Sequence, residues 1–237
     1  MICPDPSTQA RYLVAAEKSW NRQLFQEVIS KFPGQWHFVG DPSELTTDLA
    51  LSLCPRKIFF LHWSQKVPDD IVREFECVLF HMTDLPYGRG GSPLQNLIVR
   101  GEHCTKLTAL RMVEELDAGP IYAKEELCLH GTAEEIYIRA SQIAARMIER
   151  LISEDVMPVS QTGSPTVFRR RTRADSEVPE AVSLAQLYDL IRMLDAEGYP
   201  AAFFERGGLR FEFSRAALRT GRIVSDVTIT PVCETPP

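Results

Sequence analysis

The sequence predicts an α/β fold: a Rossmann-like, mostly parallel sheet followed by a small C-terminal α+β unit. Three observations carry this. Up to residue 80, short apolar runs alternate with helix-period segments in the order βαβαβαβ, which predicts a parallel sheet with right-handed crossovers. Two alternating segments then follow at residues 105–113 and 121–129, an antiparallel addition of the kind large α/β sheets carry. From residue 158 the composition shifts to Pro, Ser, Thr and Arg, and the strand-like runs beyond are joined by Gly207-Gly208, a hairpin signal. The expected organisation is a first domain over residues 1–157, a linker over 158–182 and a small domain over 183–237.

Taken in order, residues 11–17 (RYLVAAE) open as an apolar strand. Leu24, Phe25, Val28, Ile29 and Phe32 recur at helical spacing, and Pro33-Gly34 ends that helix. WHFV at 36–39 is a second strand, closed by Gly40-Asp41-Pro42. Leu45, Leu49 and Leu53, in step, predict a helix over 43–53. KIFFLHW at 57–63 reads as a strongly buried strand, and a short helix starts at Pro68, where proline is tolerated. ECVLF at 76–80 is the next strand, and PLQNLIV at 93–99 a helix. The longest helical pattern covers 132–152, with Thr132 as N-cap and Glu135 completing a capping box. Ser183 caps a further helix whose Leu184, Leu187, Tyr188, Ile191 and Leu194 share a face. Residues 201–204, 209–213 and 223–229 are strand-like.

Composition narrows the function. Hydrophobic residues make up 44% of the 237, enough for a real core. The net charge is −6, which argues against non-specific nucleic-acid binding. FRRRTR at 168–173 is a local basic patch, read first as a solvated linker. The six cysteines form no CxxC and no zinc spacing, so no metal site is expected; most lie in apolar runs, where a free thiol behaves as a small buried hydrophobe. No signal peptide is visible and no apolar run approaches a membrane span. The expectation is a cytoplasmic protein with reduced thiols and no membrane or nucleic-acid partner, with a homodimer as the candidate assembly.

The chemistry gathers in two loops. HMTDLPYGRGGSP at 81–93 follows the ECVLF strand, and LDAGP occupies 116–120. Polar groups at the carboxyl end of a strand sit where open α/β sheets place active sites. No GxGxxG follows the first strand, no GxxxxGK[ST] occurs, and no GxSxG is present, which excludes the standard dinucleotide, phosphate-loop and serine-elbow readings. His81 with Asp117 can perform general acid–base chemistry, the carboxylate orienting the imidazole or a water. The alternatives are a structural histidine and a turn aspartate before Ala-Gly-Pro.

HMTDLP, then GRGGSPLQNLI, then LDAGPIY resemble the folate-dependent formyltransferase family, whose signature is Asn-x-His-x-Ser-x-Leu-Pro, an Arg-Gly just after, and a downstream Leu-Asp-x-Gly-Pro. His81 matches the motif histidine, Thr83 the serine, Leu85-Pro86 the Leu-Pro and Asp117 the aspartate. The resemblance covers residues 57–155 well and the N-terminal part weakly. It implies the formyltransferase fold and transfer of a formyl group from N10-formyltetrahydrofolate to a primary amine, with His81 donating to the developing oxyanion and Asp117 orienting it or helping to remove the amine proton. By the same analogy Trp63, Gln65, Leu85, Pro86 and Glu115 line the pterin pocket, and Thr83, Arg89, Gly90 and Gly91 contact the substrate. One position departs: Leu79 stands where the family has asparagine, and Asn96 is the candidate substitute, or else an ordinary polar helix position. KIFFLHWSQKVPDDI and the short tail are most similar to amino-sugar N-formyltransferases, so the implied acceptor is a nucleotide-linked deoxyamino sugar of surface-glycan synthesis. A formyltetrahydrofolate hydrolase and a catalytically impaired binding module are the alternatives.

Overall fold

The structure is a computed structural model and describes residues 9–232. The chain forms two compact units. One comprises the chain up to Gly90, Thr105–Leu127 and Tyr137–Val167; the other comprises Gly91–Cys104, Cys128–Ile136 and the chain from Phe168 on. Neither unit is one continuous stretch, so a single linear cut does not separate them. The segment expected as a linker has its own local order, a strand pair of residues at Val167–Phe168 and a 3-10 turn at Arg173–Ser176.

The first unit is built on a six-stranded sheet. Its strands are β1 (Arg11–Ala15), β2 (Gln35–Val39), β3 (Lys57–Phe60), β4 (Cys77–His81), β6 (Cys104–Arg111) and β7 (Ile121–Cys128), with the two-residue β5 (Arg89–Gly90) outside it. The order is β2-β1-β3-β4-β6-β7. β1 pairs in parallel with β2 and with β3, and β3 in parallel with β4. β6 runs antiparallel to β4 and sets Thr108 opposite His81. The mostly parallel sheet with an antiparallel addition is the expected architecture.

Burial explains the sequence pattern. All four residues of β3 are buried, which is why KIFF reads as a continuous apolar run. Leu13, Ala15, Ile58, Phe60 and Cys77 face one cluster, closed by Ala50 and Ile71 from the helices Thr47–Leu53 and Asp69–Glu74. On the other face Phe59 packs beside the stacked Tyr12 and Trp36 rings. The Lys57 ammonium, buried at the start of β3, pairs with Glu76, which also accepts the Tyr122 hydroxyl at 2.6 Å. Burial works against the Glu76 charge, but the bonds from Lys57 and Tyr122 hold its carboxyl below the ordinary range.

Several elements are shorter than the pattern suggests. The first helix covers Ser19–Glu27; Val28 leaves helical geometry, and Ile29–Lys31 is a 3-10 turn. The helix expected over 43–53 begins only at Thr47, because Thr46 caps it through the Leu49 amide. β3 stops at Phe60, and His62 takes a left-handed φ of +52°. The strand expected over 209–213 extends to Arg219 through a register shift between Ser214 and Ala217 that hides its alternation. Thr132 and Glu135 form the expected reciprocal cap, as do Ser183 and Gln186. The cysteine expectation needs correction: Cys77 is buried, but Cys104 and Cys128 are exposed, because they lie at strand ends away from the core. No disulfide joins the four described cysteines; Cys3 and Cys233 lie outside the described residues. Burial pushes the Cys77 thiol up to about 12, so it stays protonated and inert. Among the described residues no helix is long and apolar enough to cross a membrane.

In the second unit the helices Pro93–Val99 and Leu184–Arg192 accompany an antiparallel sheet of Ala202–Arg206, Leu209–Arg219 and Arg222–Pro231. The buried Arg192 guanidinium satisfies the carbonyls of Leu129 at 2.7 Å and Gly131 at 3.0 Å.

His62 makes stability depend on pH. Its ring packs edge-on to Tyr137 with centroids 3.9 Å apart, and burial, helped by the Lys18 charge, lowers its pKa from 6.5 to about 3. The unfolded chain therefore binds a proton that the folded chain refuses. This contribution is intact above pH 6.5 and is lost as pH falls toward 3. His62→Asn, which tolerates the left-handed backbone, is expected to flatten the stability–pH curve there by up to about 1.4 kcal/mol per pH unit. Denaturant titrations of both proteins between pH 7 and 4 check this; parallel curves would refute it.

Candidate active site

His81 is the last residue of β4, the central strand at which the sheet turns from parallel to antiparallel pairing. It is buried, with 6% of its surface exposed. Its Nε2–H donates to the Gly88 carbonyl at 2.8 Å. A carbonyl only accepts, so this bond places a hydrogen on Nε2 and leaves Nδ1 as the ring nitrogen facing the carboxylate. Nδ1 lies 3.6 Å from Asp117 Oδ2.

The loop after β4 is shaped to bring Gly88 back under the ring. Leu85 N–H donates to Thr83 O at 3.0 Å and Tyr87 N–H to Asp84 O at 3.1 Å. The Leu85–Pro86 bond is cis, and Gly88 has φ +76°. The Thr108 hydroxyl on β6 donates to Thr83 O at 2.6 Å, and Lys124 on β7 reaches both Asp84 and the Leu85 carbonyl. The sheet itself thus holds the loop.

Asp117 is 7% exposed and has φ +53°, a left-handed conformation that aspartate tolerates better than most residues. Its Oδ2 accepts the Gly90 N–H at 2.8 Å. The 81–93 and 116–120 loops do meet, as their chemistry suggested. Arg89 donates Nε and Nη2 to Gln161 at 3.2 and 2.9 Å, and Nη1 to the exposed Glu115 at 3.1 Å. Gln161 in turn donates to the carbonyls of Asp117 at 2.7 Å and Gly119 at 2.8 Å. Gln161, Thr108 and Lys124 were not singled out from sequence. Thr108 and Lys124 lie on alternating strands, which flags only their faces; Gln161 carries no local signal.

The other expected residues are placed as follows. In the first unit Thr83 and Leu85 are fully buried, Gln65 is exposed and Pro86 half-buried. Trp63 packs edge-on to Phe60, and its Nε1 is buried without a hydrogen-bond partner among the described residues. Leu79 packs against the hydrophobic cluster around Phe60 and Cys77. In the second unit the Gly91 N–H donates to Phe168 O at 3.2 Å, and a Cβ at Gly91 would lie 2.7 Å from the Arg170 backbone. The Asn96 amide donates to the carbonyls of Gly91, Ser92 and Arg169 at 3.0–3.1 Å. In the FRRRTR run, Arg169 pairs with the Asp175 carboxylate, which neutralises one of the run's four charges, and Arg171 donates to the Asp175 main-chain carbonyl. A separate cavity of about 660 Å³, lined by Tyr12, Gly34, Arg146 and Arg150 among others, contains none of these residues. Among the described residues no cluster could hold a metal ion.

An imidazole Nδ1 and a carboxylate oxygen 3.6 Å apart and largely shielded from water form a pair that can exchange protons with a group held against both of them. Comparisons with known proteins bear on which reaction uses it. Residues 173–230 match the family described as Methionyl-tRNA formyltransferase, C-terminal domain, where the tail had been expected to go with amino-sugar enzymes. The Methionyl-tRNA formyltransferase of Rickettsia typhi is 25% identical over 210 residues, covering 84% of this chain and 66% of that protein. The chain spans about half to two thirds of the length of such curated relatives. A solved structure described as a methionyl-tRNA formyltransferase from Clostridium thermocellum is 44% identical, with TM-score 0.90, covering 94% of this chain and all of that one. A sugar N-formyltransferase from Shewanella shares the fold at TM-score 0.65 and 15% identity, covering 95% of this chain and 99% of that one.

Proposed function

The chain belongs to the formyltransferase family, and from that premise we propose that it moves a formyl group from N10-formyltetrahydrofolate to the primary amine of a nucleotide-linked deoxyamino sugar. The observation that carries the transfer chemistry is the buried His81 Nδ1–Asp117 Oδ2 pair. N10-formyltetrahydrofolate supplies the formyl carbon when bound. Asp117 orients the attacking amine and takes its proton as the amine nitrogen bonds the formyl carbon; that proton passes to the departing N10 nitrogen as the formyl C–N10 bond breaks, so tetrahydrofolate is the leaving group. His81 has its Nε2–H committed to Gly88, so Nδ1 is the atom that, when protonated, donates a hydrogen bond to the charge building on the formyl oxygen and keeps that proton as the carbonyl re-forms, with Asp117 as counter-charge. The unpartnered Trp63 indole N–H, just beyond β3, fits a heterocycle carrying ring acceptors, with Leu85-Pro86, Gln65 and Glu115 as further contacts. Thr83, Arg89, Gly90 and Gly91 are assigned to the substrate side. Asn96 contributes by holding the Gly91–Ser92 turn; a direct bond to the formyl oxygen would require it to leave three carbonyls.

The sugar acceptor is supported by the net charge of −6, which is unfavourable for a polyanion. A second reading, methionyl-tRNA as acceptor, is favoured by the 44%-identical relative and the match over 173–230. One experiment separates them. The purified protein is given N10-formyltetrahydrofolate with either a nucleotide-linked 4-amino-4,6-dideoxy sugar or methionyl-tRNA, and N-formyl product is measured by mass. Formylation of the sugar is expected. Product only on the tRNA replaces the acceptor, and product on neither overturns the function.

A further inference from the structure

Gln161 lies in the aperiodic segment, 44 residues from Asp117 and 72 from Arg89 in sequence, yet it joins the two loops of the site. Both ends of its amide are used twice. Nε2 donates to Asp117 O at 2.7 Å and Gly119 O at 2.8 Å; Oε1 accepts Arg89 Nε at 3.2 Å and Nη2 at 2.9 Å. A guanidinium offers only donors and a carbonyl only acceptors, so the residue between them must accept on one side and donate two hydrogens on the other. A carboxamide does this without charge; a carboxylate or an ammonium does half of it.

What Gln161 holds is the turn that aims the Asp117 carboxylate. Asp117 is at φ +53°, a left-handed backbone state that aspartate tolerates but that the surrounding bonds must hold in place against the commoner conformations. The carbonyls gripped by Gln161 flank that turn, one on Asp117 itself and one on Gly119. The same arginine that Gln161 binds precedes Gly90, whose N–H seats Asp117 Oδ2 at 2.8 Å. Backbone and side chain of Asp117 are thus referred to one frame, and the 3.6 Å separation from His81 Nδ1 follows from it. We propose that Gln161 is a positioning residue for formyl transfer, setting the direction of the Asp117 carboxylate toward His81. This rests on the function proposed above.

Two variants separate positioning from mere support. Gln161→Met keeps the volume and removes all four bonds. Gln161→Glu keeps, and strengthens, the partner of Arg89 but turns a carboxylate toward two carbonyls. In the formylation assay, with whichever of the two acceptors the wild type modifies, both variants are expected to lose about 10- to 100-fold in kcat, with KM values within about twofold. Hydrogen exchange of the Gly90 amide, which reports the seat of Asp117, is expected to quicken about tenfold in Gln161→Met while β3 amides are unchanged. Full kcat in Gln161→Glu would show that Gln161 serves only Arg89 and would overturn the proposal. So would unchanged Gly90 exchange in Gln161→Met, or equal acceleration of exchange in β3. The exchange arm decides the matter even if the wild type formylates neither acceptor, a result that would sink the functional reading instead.

Discussion

Asp117→Asn is expected to lower kcat for formyl transfer about 10³-fold while the fold stays intact. The substitution is chosen for what it preserves. Asparagine accepts the left-handed φ of +53° at least as readily as aspartate. Its side-chain carbonyl can still receive the Gly90 N–H, now made to Oδ2 at 2.8 Å. The main-chain carbonyl held by Gln161 is untouched. What disappears is the negative charge 3.6 Å from His81 Nδ1 and the ability to take a proton from an attacking amine. Steady-state kinetics with N10-formyltetrahydrofolate and the accepted amine measure this. Thermal unfolding within a few degrees of wild type confirms that chemistry and not folding was lost. A variant within tenfold of wild type would remove Asp117 from the reaction.

Gly119→Ala is expected to damage both stability and turnover. A Cβ on Gly119 would lie 1.7 Å from the Arg111 carbonyl oxygen and 2.9 Å from its carbon. The obstacle is backbone, and it is fixed on both sides: Arg111 N–H donates to Pro120 O at 2.9 Å, and Arg111 pairs with Val78 on β4. Relief must therefore come from moving the 116–120 turn. Overpacking of this kind costs about 1–3 kcal/mol, or roughly 3–10 °C in Tm for a chain of this size. Moving the turn also displaces the Gly119 carbonyl that Gln161 binds, so kcat is expected to fall at least about tenfold. Calorimetry and the formylation assay on the same preparation read both effects. A variant with wild-type Tm would show that the β6–β7 connection yields more easily than its bonds imply.

The difference between these two variants reflects how site and scaffold are joined. Asp117 can be altered at the level of one charge because its backbone is supported from elsewhere. Gly119 cannot accept even a methyl group, since strand β6 passes directly beside it. The close approach needs a glycine for lack of space; its φ is not in the left-handed region.

Much of this was determined by the sequence alone. The period-2 and period-3.6 patterns located nearly every strand and helix, because solvent exposure alternates with the same periods that the backbone imposes. Thr132 with Glu135 and Ser183 with Gln186 cap helices through bonds only three residues long, which any local reading can find. The motif order brought His81 and Asp117 together as one site. Only the tertiary structure decided how those groups are arranged: that Gly88 takes the Nε2 hydrogen, that Nδ1 is the atom facing the carboxylate, and that Arg89 turns to Gln161 and Glu115. It also decided that the Asn96 amide is held by three carbonyls and that the supposed linker delivers Gln161. The physical reason is range. Periodicity and caps are set by neighbours within a few residues, whereas the Arg89–Glu115, Gln161–Asp117 and Arg89–Gln161 bonds join groups 26, 44 and 72 residues apart and exist only once the sheet has placed its loops.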